Sequence, residues 1–122
     1  MRSVSSIPET HEPLSPAMFH VLLALAGDDL HGYAILKEVE LRTSGKVRLS
    51  TGTLYGIIKR LVNDGLISEL HTKPSDASDD ERRRYYRLTA LGHETAASEA
   101  QRMAEVLAVA RSRNLLKKPR TA

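Results

Sequence analysis

The segment spanning residues 50–67 constrains the fold of this chain more than any other. It begins with Ser50, a residue type that caps helices, and Gly65 near its end is typical of a helix stop before a strand. Between them the apolar residues recur at helical spacing and fall on one side at 100° per residue. That apolar stripe, which we expect to be buried, comprises Leu54, Ile57, Ile58, Leu61 and Val62.

The opposite side of this predicted helix carries small and cationic residues. A glycine inside a helix costs about 1 kcal/mol relative to alanine, so two exposed glycines favour a role in close approach to a partner. Such a helix suits a nucleic-acid groove, although an ordinary amphipathic helix with a solvated basic side would show the same pattern. This side comprises Gly52, Gly56, Lys59 and Asn63, flanked by Thr53, Tyr55 and Arg60.

Length and composition indicate one folded domain. The chain has 122 residues, 41% hydrophobic and 27% charged, which suits a modest core. It has 0 Cys, which excludes a disulfide framework and a thiolate zinc site. The first residues lack an apolar signal core, and the longest apolar run, residues 21–26, is far too short to span a bilayer. We therefore expect a cytoplasmic protein.

The net charge of +3 is unevenly distributed along the chain. Residues 1–45 hold three Lys and Arg against six Asp and Glu, residues 46–92 hold nine against six, and residues 93–122 hold six against three. The positive charge therefore lies in and after the residue 50–67 segment. A basic patch of this kind favours polyanions, with an ordinary solvated surface as the alternative.

Two further helices are predicted before residue 50. Ser15 and Pro16 form a start signal for a helix that ends near Ala26. A second helix is predicted from His31 to about Thr43, followed by a brief edge strand at residues 47–49. The residues expected in the core are Phe19, Leu22, Leu23 and Ala26 from the first helix, with Ile35, Leu36 and Val39 from the second. Phe19 and Tyr33 fit core packing better than a ligand pocket.

After the residue 50–67 segment the pattern predicts a β-hairpin. Residues 66–71 and 83–88 are the expected strands, and residues 72–82 are a polar tip. The fold class is therefore mainly α with a small β-hairpin: a winged helix-turn-helix over residues 14–88, preceded by a flexible arm at residues 1–13. In that layout the third helix enters the major groove and the wing reaches the flanking backbone.

This layout predicts a set of DNA-contacting residues. Acidic side chains at the hairpin tip would repel phosphate, so we expect the cations at its base to make the contacts. The predicted set is Ser50, Thr51, Thr53, Tyr55, Lys59, Arg60 and Asn63 from the helix, with Lys73, Arg82, Arg83 and Arg84 from the hairpin.

The C-terminal part of the chain predicts a long dimerisation helix. Thr89 can cap a helix that runs from residue 90 to about 116, roughly 40 Å at 1.5 Å per residue. We expect a homodimer because the rest of the domain is too small to cover that length; the alternative is that the helix packs on its own domain. Residues 117–122 form a basic tail. The predicted dimer seam, at alternating steps of four and three, comprises Ala96, Ala100, Met103, Leu107 and Ala110.

Several motifs together resemble the PadR family of bacterial winged-helix transcriptional regulators. They are His31-Gly32-Tyr33, Gly52-Thr53-Leu54-Tyr55, Gly65-Leu66-Ile67, and the run from Arg84 through Tyr85 and Tyr86 to Gly92. The family often has proline after Leu-Tyr, where this chain has Gly56. The resemblance implies a homodimeric repressor that binds double-stranded DNA and is often released by a small-molecule effector. With 0 Trp, this chain has no tryptophan to stack on a planar ligand between subunits.

Catalysis receives little support from the sequence. The five histidines form no metal-ligand motif with a nearby acid or thiol, so we expect no metal, no cofactor and no enzymatic activity. Two alternatives to the regulator remain open. One is a dimeric winged-helix module that binds another protein, and the other is a DNA-binding regulator of a different winged-helix family.

Overall fold

The computed structural model of the chain describes residues 14–70 and 84–117, in which helices surround one small antiparallel sheet. The predicted N-terminal arm, the whole of the predicted hairpin tip and nearly all of the basic tail lie outside these ranges. The predicted fold class is confirmed, including the long C-terminal helix. The elements in chain order are α1 (Pro16–Gly27), β1 (Leu30–His31), α2 (Gly32–Arg42), α3 (Thr51–Asn63), β2 (Ile67–Leu70), β3 (Tyr85–Leu88) and α4 (Ala90–Ser112).

Side-chain caps begin each helix. Ser15 Oγ accepts the Met18 N–H at 3.1 Å, and Thr89 Oγ1 accepts the Gly92 N–H at 2.9 Å. At α2 the cap is a histidine: His31 Nδ1 accepts the Ala34 N–H at 3.2 Å. These bonds satisfy donors that the first turn of a helix leaves open, and for that reason the polar residues before each apolar run mark the helix starts.

The sheet has the strand order β1-β3-β2, and all pairs are antiparallel. The predicted hairpin strands are present, but the third strand lies at Leu30–His31, where none was predicted. The predicted edge strand at residues 47–49 is wrong. Val47 and Leu49 instead pack, half-buried, against the core, so their apolar character reflects packing rather than strand pairing.

α1 is the central helix, in contact with α2, α4 and β3. It therefore buries residues on several sides: Met18, Phe19, Val21, Leu22, Ala24 and Leu25. Phe19 and Leu22 are buried as predicted, whereas Leu23 is 36% exposed and Ala26 is also exposed, against expectation. The run at residues 21–26 is continuously apolar, so its periodicity could not indicate which residue faces water.

The start of α4 is fixed tightly to the end of α3. Thr89 donates its N–H to Leu66 O at 3.1 Å and its hydroxyl to Gly65 O at 2.6 Å. One turn later Gly92 lies so close to Leu66 that a Cβ there would come within 1.9 Å of the Leu66 carbonyl oxygen. Only glycine permits this approach, which holds the start of the long helix against the turn between α3 and β2.

α4 ends at Ser112, four residues before the predicted end. Asn114 adopts a positive φ of 65°, and the Leu115 N–H returns to Ala110 O at 2.9 Å. This is the bonding pattern of a helix stop, with asparagine in place of the usual glycine. The prediction overran because asparagine is a weaker stop signal than glycine.

A histidine on α1 contacts an arginine on α2, and this contact should make stability depend on pH. Arg42 donates to His20 Nδ1 at 2.9 Å and to His20 O at 3.2 Å. Burial, and then the Arg42 charge, lower the pKa of His20 in the folded protein. The unfolded chain therefore gains the proton first as the pH falls, so His20 stabilises the fold at neutral pH and loses that contribution on acidification.

We expect the free energy of unfolding to fall more between pH 7.5 and pH 5 in the native protein than in His20→Asn. Asparagine keeps an acceptor near Arg42 but does not titrate. Because His20 is only half-buried, the difference should be about 1 kcal/mol or less. Urea unfolding at several pH values measures it, and identical pH profiles for the two proteins would rule out a contribution from His20.

Candidate nucleic-acid interface

The outer side of α3 is open. Gly52, Gly56, Lys59 and Asn63 are all exposed, and a Cβ added at either glycine would meet nothing within 4 Å. Lys59 has no ion-pair partner within residues 14–70 and 84–117. The opposite side is anchored as predicted, with Leu54, Ile58 and Leu61 buried and Ile57 and Val62 half-buried. The helix therefore presents a smooth, cationic surface outward.

The hydroxyl groups at the start of α3 hold the helix end. Ser50 Oγ accepts the Thr53 N–H at 3.1 Å and donates its own hydrogen to Thr53 Oγ1 at 3.0 Å. The Thr53 hydroxyl keeps its hydrogen for an external acceptor, and Thr51 beside it is exposed. Of the three predicted contact residues at this helix start, Ser50 is the one whose hydroxyl both donates and accepts a hydrogen bond within the fold.

Tyr55 connects α3 to the start of α2. Its side chain is 46% exposed, and a Cβ on Gly32 would come within 2.2 Å of the Tyr55 hydroxyl oxygen. Glycine at position 32 therefore makes room for the phenol. Tyr33, the next residue, is 63% exposed, which corrects the expectation that it packs in the core.

Two of the predicted arginines are engaged in ion pairs. Arg60 lies 3.6 Å from Asp64, its neighbour one turn on, at the flank of the open side of α3. Arg84 lies 2.5 Å from Glu69 across the hairpin, and this bond raises the pKa of the guanidinium. The other predicted hairpin cations, Lys73, Arg82 and Arg83, lie outside the described residues.

Arg87 occupies the other face of the sheet from Arg84. It forms a two-pronged contact with Asp29, the shorter arm measuring 2.8 Å. The alternation of a strand explains the difference, because residues 84, 86 and 88 share one face and residues 85 and 87 the other. Arg84 therefore lies on the face of the sheet that is turned toward α3, whereas Arg87 fixes the hairpin to the turn after α1.

A cleft of about 230 Å³ separates α3 from the sheet. It brings three predicted contact residues together with two that sequence reasoning missed, Glu69 and Tyr86, which face each other across β2 and β3. Burial, and then the Glu69 charge, raise the pKa of Tyr86, so its hydroxyl remains a donor. The alternation of side chains along a strand could have predicted that Glu69 and Tyr86 share the face of the sheet that lines the cleft. The lining residues are Tyr55, Ile58, Lys59, Val62, Asn63, Glu69 and Tyr86.

The predicted dimer seam on α4 divides into a covered half and an open half. Ala96 is buried in the core of its own chain and Met103 packs half-buried against that core, so these two residues of the predicted seam contact their own domain. Ala100 is exposed and Ala110 half-buried, while Leu107 is 48% exposed. Arg102, Met103, Val106 and Leu107 line a shallow hollow of about 250 Å³. The free apolar surface is therefore the C-terminal half of α4.

Two other kinds of site are absent from residues 14–70 and 84–117. No group of three His, Cys, Asp or Glu residues in these ranges is placed to hold a metal ion. None of the helices described there combines the length and the apolar character needed to cross a bilayer.

Comparison with known proteins agrees with this architecture. The model of the transcriptional regulator PadR-like family matches residues 21–98. A crystal structure of a PadR family transcription regulator from Clostridium difficile R20291 has a TM-score of 0.67 and 26% identity, over 80% of this chain and 97% of that one.

Two relatives with no assigned function also match. An uncharacterised protein of Lysinibacillus sphaericus is 31% identical over 70% of this chain and 76% of its own length. An uncharacterised 37.1 kDa transposon protein of Streptomyces fradiae is 40% identical over 74% of this chain, which spans 24% of that protein. The family match covers the helix-turn-helix, the hairpin and the start of α4, and on this basis the chain belongs to the PadR-like family of transcriptional regulators.

Proposed function

We propose that this chain is a homodimeric, sequence-specific DNA-binding repressor whose α3 helix enters the major groove. The observation that carries the proposal is the open side of α3. Two glycines leave its surface bare, Lys59 supplies an unpaired charge among the described residues, and the buried stripe holds the helix firmly. Groove entry by a helix of this kind is the usual docking mode of helix-turn-helix proteins.

The hairpin root supplies a second cation beside α3. Arg84 is mostly exposed and is held by Glu69, which lines the same cleft as Lys59 and Asn63. An exposed ion pair of this type contributes little to stability, so Arg84 can exchange Glu69 for a phosphate at small cost. Lys73, Arg82 and Arg83 follow from the sequence alone as further backbone contacts.

We propose that two copies of the chain form the DNA-binding dimer through the open, C-terminal half of α4. Leu107 and Val106 are large apolar side chains exposed to solvent around the hollow on this helix. A twofold contact there would bury them and position two α3 helices for half-sites about one helical turn apart. An adequate interface buries about 800 Å² per partner, so Val109 and Leu115 would also contribute to it.

A binding titration tests the DNA-binding proposal. Fluorescence anisotropy compares a labelled duplex from the region upstream of its own coding sequence with an unrelated duplex of equal length, over a series of salt concentrations. We expect tight binding to the first, weaker binding to the second, and affinity that falls steeply with salt in both. Equal, salt-insensitive or absent binding would favour the alternative, a winged-helix module for protein partners.

Repression and effector release are tested separately. We expect the protein to act in the cytoplasm, where the DNA lies. A reporter gene placed behind the same upstream region should therefore be expressed less when the protein is present. Small molecules that restore expression should also dissociate the purified complex. Higher expression in the presence of the protein would identify an activator instead of a repressor.

A further inference from the structure

Tyr86 is a buried residue whose hydroxyl has no hydrogen-bond partner in the described part of the chain. Tyr86 is only 4% exposed, in the middle strand of the sheet. Its neighbours Glu69 and Tyr55 act on it electrostatically, yet neither bonds to it within residues 14–70 and 84–117. Buried polar groups in native proteins are nearly always satisfied, so a phenol that borders a cleft and has no partner among the described residues is suited to bind a ligand there.

Four of the seven residues that line the cleft carry hydrogen-bond donors. Tyr86 and Tyr55 contribute hydroxyl groups, Lys59 an ammonium group and Asn63 an amide. The acceptor Glu69 already binds Arg84 at 2.5 Å, and that contact offsets its charge. A ligand that fits this set is an oxyanion with several acceptor oxygens.

The position of the cleft indicates where such an oxyanion comes from. With α3 in the major groove and the hairpin on the flanking backbone, the sugar-phosphate strand between them runs over the junction of α3 and the sheet. A volume of about 230 Å³ holds a phosphate group with ordered water, since one water occupies about 30 Å³.

We infer that this cleft is a seat for one backbone phosphate of bound DNA, with the Tyr86 hydroxyl as a neutral donor and Lys59 as the charged one. The inference rests on the proposed DNA-binding function and adds Tyr86, which lies on the face of the sheet that is turned toward α3. Arg84 turns from Glu69 to the same phosphate when DNA is bound.

Tyr86→Phe is the direct test, because it removes the hydroxyl and keeps the ring. We expect about tenfold weaker DNA binding with an unchanged salt slope, since no charge is lost. The melting temperature should stay the same or rise, because no intramolecular bond is broken. Tyr85→Phe, the same change on the other face of the sheet, should bind DNA as the native protein does.

A second variant tests the seat without altering the tyrosine. Glu69→Gln removes the negative charge beside the phosphate and releases Arg84, so DNA binding should tighten by about threefold. If Glu69 and Tyr86 served only the fold, Glu69→Gln would leave affinity unchanged or weaken it, and either result would contradict the inference.

Modified duplexes identify the phosphate. A neutral methylphosphonate placed at one backbone position at a time should weaken binding at the seated position in the native protein and produce no further loss in Tyr86→Phe. Free inorganic phosphate at matched ionic strength should not displace the duplex. If it does so in the native protein but not in Tyr86→Phe, the cleft binds free phosphate and the assignment to DNA is wrong.

The outcomes separate the two proposals. No DNA binding by the native protein would end the proposed function. Normal DNA binding by Tyr86→Phe, equal to that of Tyr85→Phe, would overturn the phosphate seat and leave the proposed function intact.

Discussion

Replacing Leu107 with aspartate should convert the proposed dimer into a monomer. Leu107 lies at the centre of the exposed apolar surface on α4, beside Met103 and Val106. In a twofold dimer the substitution places two unpaired carboxylates in a dry contact, and each would cost several kcal/mol. We expect the dimer dissociation constant to rise by about a thousandfold or more, as measured by sedimentation equilibrium.

The matched control is Ala108→Asp, which adds the same charge at an exposed position about 100° around α4 from Leu107 and farther still from Met103 and Val106. This variant should remain a dimer. The α4 interface would be wrong if Leu107→Asp sedimented as the native dimer, or if Ala108→Asp dissociated equally.

Gly92→Ala should unfold the protein at a much lower temperature. The added Cβ would lie 1.9 Å from Leu66 O and 2.9 Å from Leu66 C, both backbone atoms that no rotamer change can move. The start of α4 would have to shift away from Leu66, and the Thr89 bonds to Gly65 and Leu66 would be lost with it. We expect a loss of about 3 kcal/mol and a melting temperature lower by about 10 °C.

Gly56→Ala is the control for that variant and should have the opposite sign. It adds the same methyl group to a helical glycine with nothing within 4 Å, so stability should rise by about 1 kcal/mol. Urea unfolding of both variants gives the comparison. A Gly92→Ala protein as stable as the native one would show that α4 is not fixed at Leu66.

Much of this fold follows from local sequence signals. Ser15, Ser50 and Thr89 precede apolar runs and cap the helices that those runs form. The stripe on α3 is correctly placed because a single side of that helix meets the core. The local sequence was sufficient to predict these helices, because each capping residue lies within a few residues of the apolar pattern that follows it.

Three of the failures of prediction share a physical cause, which is that the partner lies far along the chain. β1 is two residues long and exists because Leu30 pairs with Tyr86, so no window around residue 30 could reveal it. Glu69 and Tyr86 line the cleft only because β2 and β3 turn one face toward α3. Ala96 is buried because α4 returns across α1, which a heptad pattern alone does not indicate.

The central claim is that the open side of α3 receives a DNA duplex, and the salt dependence of binding by Lys59→Ala tests it most directly. Lys59 is exposed on that side and, among the described residues, has no ion-pair partner. The account predicts weaker binding and a salt slope shallower by about 0.9, with the native slope kept in Lys59→Arg. Unchanged affinity and slope in Lys59→Ala would contradict it.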